Sequence, residues 1–145
     1  FLFFNSKEIF KEDRIIMKIA LASDHRGFDF KKRVAAMIIH MGHTVKDFGT
    51  DKNNESVDYP DYGLQASRAV GSGECERGVL ICGTGIGMSL VANKVRGVRA
   101  ACCHNVINEE LLEQKVKLWL ETPFDGGRHT RRVEKIMEVE KGGGI

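Results

Sequence analysis

Residues 78–93 read GVLICGTGIGMSLVAN, and this stretch decides the fold. The apolar run Val79-Leu80-Ile81-Cys82 has the composition of a parallel strand buried on both faces. It breaks at Gly83-Thr84-Gly85-Ile86-Gly87, and helix-forming residues resume at Met88. Strand, glycine turn and helix together build an anion site in α/β folds: bare backbone N–H groups converge, and a helix N-terminus adds positive potential. Cys82 ends the strand at the rim of that nest, where a thiol can have a lowered pKa and react as thiolate. Thr84 or Ser89 can donate further hydrogen bonds. A tight strand–helix connection needing only small residues is the competing interpretation of the same glycines.

Two common phosphate motifs are excluded. The dinucleotide pattern G-x-G-x-x-G needs a third glycine where Met88 stands. The nucleotide-triphosphate loop needs a lysine after its last glycine, and none follows Gly87.

Outward from this stretch, strands and helices alternate. Lys18–Ser23 (KIALAS) is a near-continuously apolar strand that runs into Asp24-His25. Residues at the carboxyl ends of parallel strands line the ligand crevice of open α/β sheets, so Asp24 and His25 either face ligand or, for Asp24, cap the next helix. Residues 27–41 form an amphipathic helix with Phe30, Val34, Met37, Ile38 and Met41 at three- and four-residue spacing, stopped by Gly42. Residues 44–48 (TVKDF) alternate as a second strand nearer an edge. After a polar loop, Pro60 sits in the first turn of a helix reaching about Val70. Tyr59 and Tyr62 stand at its entry: both can line a pocket, and packing is the stronger interpretation for Tyr62.

Residues 99–103 (RAACC) form a fourth strand, and His104-Asn105 stands just past its end. Residues 108–120 form a strong helix with Asn108 at its cap, and Arg128 opens a last helix with Val133 and Ile136 as its apolar contacts. Arg128 and Arg132 are four apart and share a helical face. Such a pair can grip a phosphate, or form a solvated basic turn. The alternation predicts a doubly wound α/β fold with a parallel sheet.

With 145 residues, the chain is expected to hold one domain with a real core. A net charge of +2 is too small to argue for nucleic acid or an anionic membrane. No apolar run spans a bilayer. Cys75, Cys82, Cys102 and Cys103 contain no C-x-x-C pair, so neither zinc ligation nor a disulfide framework is suggested, and a reducing, cytoplasmic setting is expected. Met17 opens the first clear strand. Residues 1–16 are expected to be an extension outside the fold, 17–140 the domain, and 141–145 a flexible tail.

Five blocks then carry a resemblance: Ala22-Ser23-Asp24-His25-Arg26-Gly27-Phe28, Val57-Asp58-Tyr59-Pro60-Asp61-Tyr62, Cys82-Gly83-Thr84-Gly85-Ile86-Gly87-Met88-Ser89, Arg96-Gly97-Val98-Arg99-Ala100-Ala101 and Phe124-Asp125-Gly126-Gly127-Arg128-His129. In this order they resemble the type B ribose-5-phosphate isomerases, whose family includes the galactose-6-phosphate isomerase subunits. The resemblance implies a Rossmann-like three-layer sandwich and an aldose–ketose isomerase working as a homodimer or homotetramer, with sites between subunits and no metal or other cofactor. The implied reaction interconverts D-ribose 5-phosphate and D-ribulose 5-phosphate, in the pentose phosphate pathway. Another sugar phosphate such as galactose 6-phosphate, or a catalytically impaired binding relative, is the alternative. By resemblance Cys82 is the base, and the N–H groups of Gly83, Thr84, Gly85, Ile86 and Gly87 hold an enediolate. Asp24 and Tyr59 line the sugar, Asp24 and Thr84 also counting as catalytic, Ser89 is a further substrate-binding residue, and His25, Arg128 and Arg132 take the phosphate.

The pattern departs from the family after the fourth strand. A helix, a block close to H-N-D-A-N and a fifth strand have no counterpart between Asn105 and Val106. The family's ring-opening histidine lies in that block, so His104-Asn105 is read as the strand end and the acid is expected to be missing; His104 is the first substitute candidate should the chain turn over cyclic substrate. Four strands are therefore expected, with residues 99–103 near an edge.

Overall fold

A computed structural model of the chain describes residues 2–5, 16–103 and 109–142. The elements run β1 (Leu2–Asn5), β2 (Lys18–Ser23), α1 (Phe28–His40), β3 (Thr44–Asp47), α2 (Tyr59–Ser72), β4 (Arg77–Ile81), α3 (Ile86–Asn93), β5 (Val98–Ala101), α4 (Glu109–Glu121) and α5 (Arg128–Glu140). They build one mixed sheet in the order β3-β2-β4-β1-β5. β2 pairs parallel with β3 and with β4. β1 is antiparallel to both β4 and β5, so the four expected strands share one direction. As anticipated from the absent helix–strand unit, β5 lies at an edge.

The expectation for residues 1–16 needs correction. Leu2–Asn5 is not outside the fold: Leu2 pairs with Val79 on one side and Ala101 on the other, and Phe3 with Gly78 and Ala100. The physical reason is the state of its neighbours. β4 and β5 do not pair with each other, and two facing strand edges leave rows of N–H and C=O groups that must find partners. A short run rich in leucine and phenylalanine has the β-propensity to fill that slot. The tail expected at 141–145 falls partly outside the described residues, which end at Gly142.

Pleat alternation sorts the core into two layers. Ile19, Leu21, Val79 and Ile81 face α1 and α4, meeting Phe30, Val34, Ile38, Val116 and Leu120. Ala20, Ala22, Leu80 and Val98 face α2 and α3, meeting Ala66, Val70, Met88 and Ala92. Small residues allow close approach on this second face: a Cβ on Gly63 would fall 2.7 Å from the Met88 sulfur. The result is the three-layer α/β sandwich that the alternation predicts.

Lys31 is buried, at 2% exposure, although it lies on α1. Its Nζ donates to Asp47 Oδ1 at 2.6 Å and to the Thr50 carbonyl at 2.8 Å. Thr50 in turn pairs with the end of β2 through Thr50 N–H to the Ser23 carbonyl, 2.9 Å. Lys31 thus fastens the loop that braces Ser23-Asp24. Lys31→Met keeps the apolar stem and removes the donor from a buried carbonyl, so it is expected to lower the unfolding free energy by about 1–3 kcal/mol in urea titration. An unchanged midpoint would show the bond to be dispensable.

α5 differs from its expected docking. Val133 and Ile136 were expected to make its apolar contacts, yet the helix buries no residue and Ile136 is 49% exposed. Its polar anchor is its last turn: Glu140 accepts from Arg99 at 2.6 Å and from the Gly97 N–H at 3.1 Å. The Arg99 guanidinium holds the Glu140 carboxyl below its ordinary range, so this anchor persists above that range and is lost as pH falls through the lowered value.

Candidate active site

The strand order reverses between β2 and β4, because β2 leads through α1 to β3 on one side and the chain then crosses to β4 on the other. Ligand crevices of open α/β sheets form outside the carboxyl ends of strands at such a point. Here the two strand ends are knit together by the Asp24 N–H, which donates to the Ile81 carbonyl at 3.1 Å. Asp24-His25 and Cys82 therefore stand side by side.

Cys82 lies just past β4 and is half-buried. Its Sγ accepts the Gly85 N–H at 3.2 Å, so the turn folds back onto the sulfur. That fold requires Gly85 at φ +79°, a left-handed conformation that side chains disfavour. The Ile86 N–H is taken by Thr84 Oγ1 at 3.3 Å, and helix bonding begins with Ser89 N–H to the Gly85 carbonyl at 3.1 Å. The N–H groups of Gly83, Thr84 and Gly87 have no partner among the described residues. A negative oxygen placed over the turn meets these donors and the positive end of α3. The Ser89 hydroxyl donates to the Ile86 carbonyl at 2.9 Å and is engaged with its own helix.

Tyr59 closes one wall. A Cβ on Gly87 would fall 2.5 Å from Tyr59 Cζ and 2.7 Å from its hydroxyl oxygen, so only glycine lets the ring lie there. Tyr62 packs against the core instead, its ring against Gly49, as its place inside the helix suggested. Asp24 is buried, and its Oδ1 accepts N–H groups from Arg26 at 3.0 Å and Gly27 at 2.9 Å. Asp24 is not the N-cap of α1, a place taken by Gly27; its carboxylate instead shapes the loop into the helix from a position at the crevice. His25 Nδ1 accepts the Val57 N–H at 3.3 Å, which ties the Tyr59 loop to β2.

The crevice thus gathers Asp24, His25, Tyr59, Cys82 and the turn of residues 83–87. It does not gather Arg128 and Arg132: both are exposed, and Arg128 Nε approaches its neighbour His129 at 3.4 Å. His104 lies outside the described residues. Two features had no sequence signal. Gly27 crosses β4 so closely that a Cβ would meet Ile81 Cγ2 at 2.6 Å, and Arg26 lies over Gly83. Among the other cysteines, burial pushes the Cys75 thiol up to about 11.

A thiol inside an N–H nest at a strand end stands beside a carboxylate, an imidazole and a phenol, donors and acceptors suited to a small anionic ligand. The chain belongs to the Ribose/Galactose Isomerase family, whose model matches residues 19–114. It is 39% identical to the ribose-5-phosphate isomerase B of Escherichia coli (strain K12), with 86% of this chain and 97% of that one covered. The structure of the Clostridium thermocellum ribose-5-phosphate isomerase B superposes with a TM-score of 0.83 at 46% identity, covering 87% of this chain and 99% of that one. The Mycoplasma genitalium ribose-5-phosphate isomerase B, with bound ribulose-5-phosphate, superposes at 0.81 and 30% identity, covering 89% and 99%. The E. coli alignment runs over 145 positions but draws on 86% of this 145-residue chain, about 125 residues, so about 20 positions have no counterpart here. The shortage agrees in size with an absent helix–strand unit.

Proposed function

We propose that the chain interconverts D-ribose 5-phosphate and D-ribulose 5-phosphate through an enediolate. The observation that carries this reading is Cys82 Sγ inside the glycine turn, accepting the Gly85 N–H beside donors left open on Gly83, Thr84 and Gly87. With the open-chain aldose bound, the Cys82 thiolate takes the proton from C2. The C2–H electron pair becomes the C1=C2 bond, and the carbonyl pair moves onto O1. The open N–H groups of Gly83, Thr84 and Gly87, in place before the charge appears, stabilise that oxyanion. Cys82 returns its proton to C1 while the hydroxyl proton passes from O2 to O1, leaving the ketose. Tyr59 and Asp24 hold the sugar hydroxyls, and His25 directs Nε2–H to the phosphate.

Arg128 and Arg132 complete the phosphate site from a second copy of the chain. Support comes from α5, which buries nothing in its own chain, and from the outward apolar pair Ile86 and Leu90 of α3, 51% and 61% exposed. Each Arg→Ala variant is expected to weaken sugar-phosphate binding by about 1.5–3 kcal/mol, the scale of a charge-assisted hydrogen bond. Titration with the unphosphorylated sugar should show no change. Equal losses for both ligands would show that these residues do not read phosphate.

No helix among the described residues is long and apolar enough to cross a membrane. The cytoplasm is the compartment proposed, since four free thiols suit reducing conditions. The deciding experiment is direct assay of ribulose 5-phosphate formation from ribose 5-phosphate. Conversion is expected, slower on the cyclic sugar than in relatives that keep the absent block. No conversion in either direction would leave a binding protein.

A further inference from the structure

The mechanism above makes no use of Arg26, although its side chain reaches the reacting end of the site. A Cβ on Gly83 would lie 3.3 Å from an Arg26 terminal nitrogen and 3.4 Å from its Cδ, so the side chain covers the first glycine of the turn. Its backbone is fixed. The N–H groups of Arg26 and Gly27 both donate to Asp24 Oδ1, and Gly27 is pressed onto Ile81 at the end of β4. Arg26 is exposed and forms no ion pair with a carboxylate of the described residues. The guanidinium thus lies one residue from Cys82, with no ion-pair partner among the described residues. This is the end of the crevice where O1 gains its charge, four carbon–carbon bonds from the phosphate.

We propose that Arg26 is a further catalytic residue, its guanidinium stabilising the enediolate alongside the open N–H groups of Gly83, Thr84 and Gly87. The inference rests on the isomerase reading. Arginine suits the task because it stays charged and cannot surrender a proton to the intermediate. It also donates from a planar fork to two oxygens at once, which matches the cis pair O1 and O2 of an enediolate.

The test is kinetic and then calorimetric. A group that acts only as charge develops lowers kcat and leaves KM. Arg26→Ala is expected to lower kcat by about 30–300-fold with KM held within about threefold, the range for loss of one oxyanion donor. Arg26→Lys should recover part of the loss. An aldonohydroxamate, which mimics the enediolate, should bind Arg26→Ala more weakly by a similar factor, while inorganic phosphate binds as before. Because Arg26 is exposed, the thermal midpoint should hold. A rise in KM at constant kcat, or weaker binding of inorganic phosphate, would make Arg26 a phosphate reader and overturn the proposal. So would unchanged kinetics. Wild-type protein that neither turns over ribose 5-phosphate nor binds the hydroxamate removes the isomerase reading and this inference together. Wild type that does both, beside an Arg26→Ala that equals it, removes this inference alone.

Discussion

Cys82→Ala is expected to reduce isomerisation by at least about 10²–10⁴-fold, the contribution of a positioned general base, and to leave phosphate binding intact. The sulfur has two duties in the structure. It ends β4 at the crevice, and it accepts the Gly85 N–H that closes the turn. Alanine removes both, so Cys82→Ser is the informative companion. A hydroxyl keeps an acceptor for Gly85 but does not ionise near neutral pH, so a turn-shaping role predicts recovery in the serine variant and a proton-transfer role predicts none. The second outcome is expected. Calorimetry with inorganic phosphate should give similar affinities for all three proteins. Alkylation supplies a readout that needs no turnover. Iodoacetamide should label Cys82 and the exposed Cys102, sparing buried Cys75, and ribose 5-phosphate should slow labelling at Cys82. Full turnover by Cys82→Ala would end the assignment of this residue as the base.

The legible parts of the fold are those whose signals are local. An apolar run, a glycine cluster and a helix-forming run mark β4, the turn and α3 within sixteen consecutive residues, and KIALAS marks β2 on its own. Strand ends in a parallel sheet converge on one side, which is why Asp24, His25 and Cys82 could be placed together. The illegible parts depend on distant partners. Leu2–Asn5 is a four-residue apolar segment, too short for periodicity to identify, and its position is set by strand edges more than seventy residues away. Arg26 is one exposed arginine among many until Gly83 is seen beneath it. Val133 and Ile136 carry a helical apolar spacing, but spacing alone does not tell whether a face is covered, and α5 buries no residue in the structure. Asp24 shows the limit of a cap reading from sequence: its carboxylate accepts the Arg26 and Gly27 N–H groups, while the N-cap of α1 falls at Gly27.

Removing residues 1–5 is expected to lower the thermal midpoint by more than about 10 °C. β5 is hydrogen-bonded to the sheet through β1, with pairs running from Leu2–Ala101 to Asn5–Val98, and β1 in turn holds β4 through Leu2–Val79 to Phe4–Arg77. Truncation strips one edge of β4 and the paired edge of β5. Each buried backbone group left without a partner costs about 1–3 kcal/mol, so several together exceed about 5 kcal/mol. At about 2–4 °C per kcal/mol for a chain of this size, the shift is large. Phe3→Pro provides a subtler version: β1 has a neighbour on each side, so any N–H lost from it is a ladder bond lost. Hydrogen exchange locates the damage, because the amides of Val98–Ala101 should lose protection while those of β2 keep theirs. The size of the effect should depend on the absent unit. Restoring the helix, the H-N-D-A-N-like block and the strand between Asn105 and Val106 should let that strand enter the slot in parallel. The repaired chain should then melt higher, turn over cyclic ribose 5-phosphate faster, and lose little on truncation of residues 1–5. A truncated original chain with an unchanged midpoint would show instead that β5 closes directly onto β4 and that Leu2–Asn5 is a dispensable occupant.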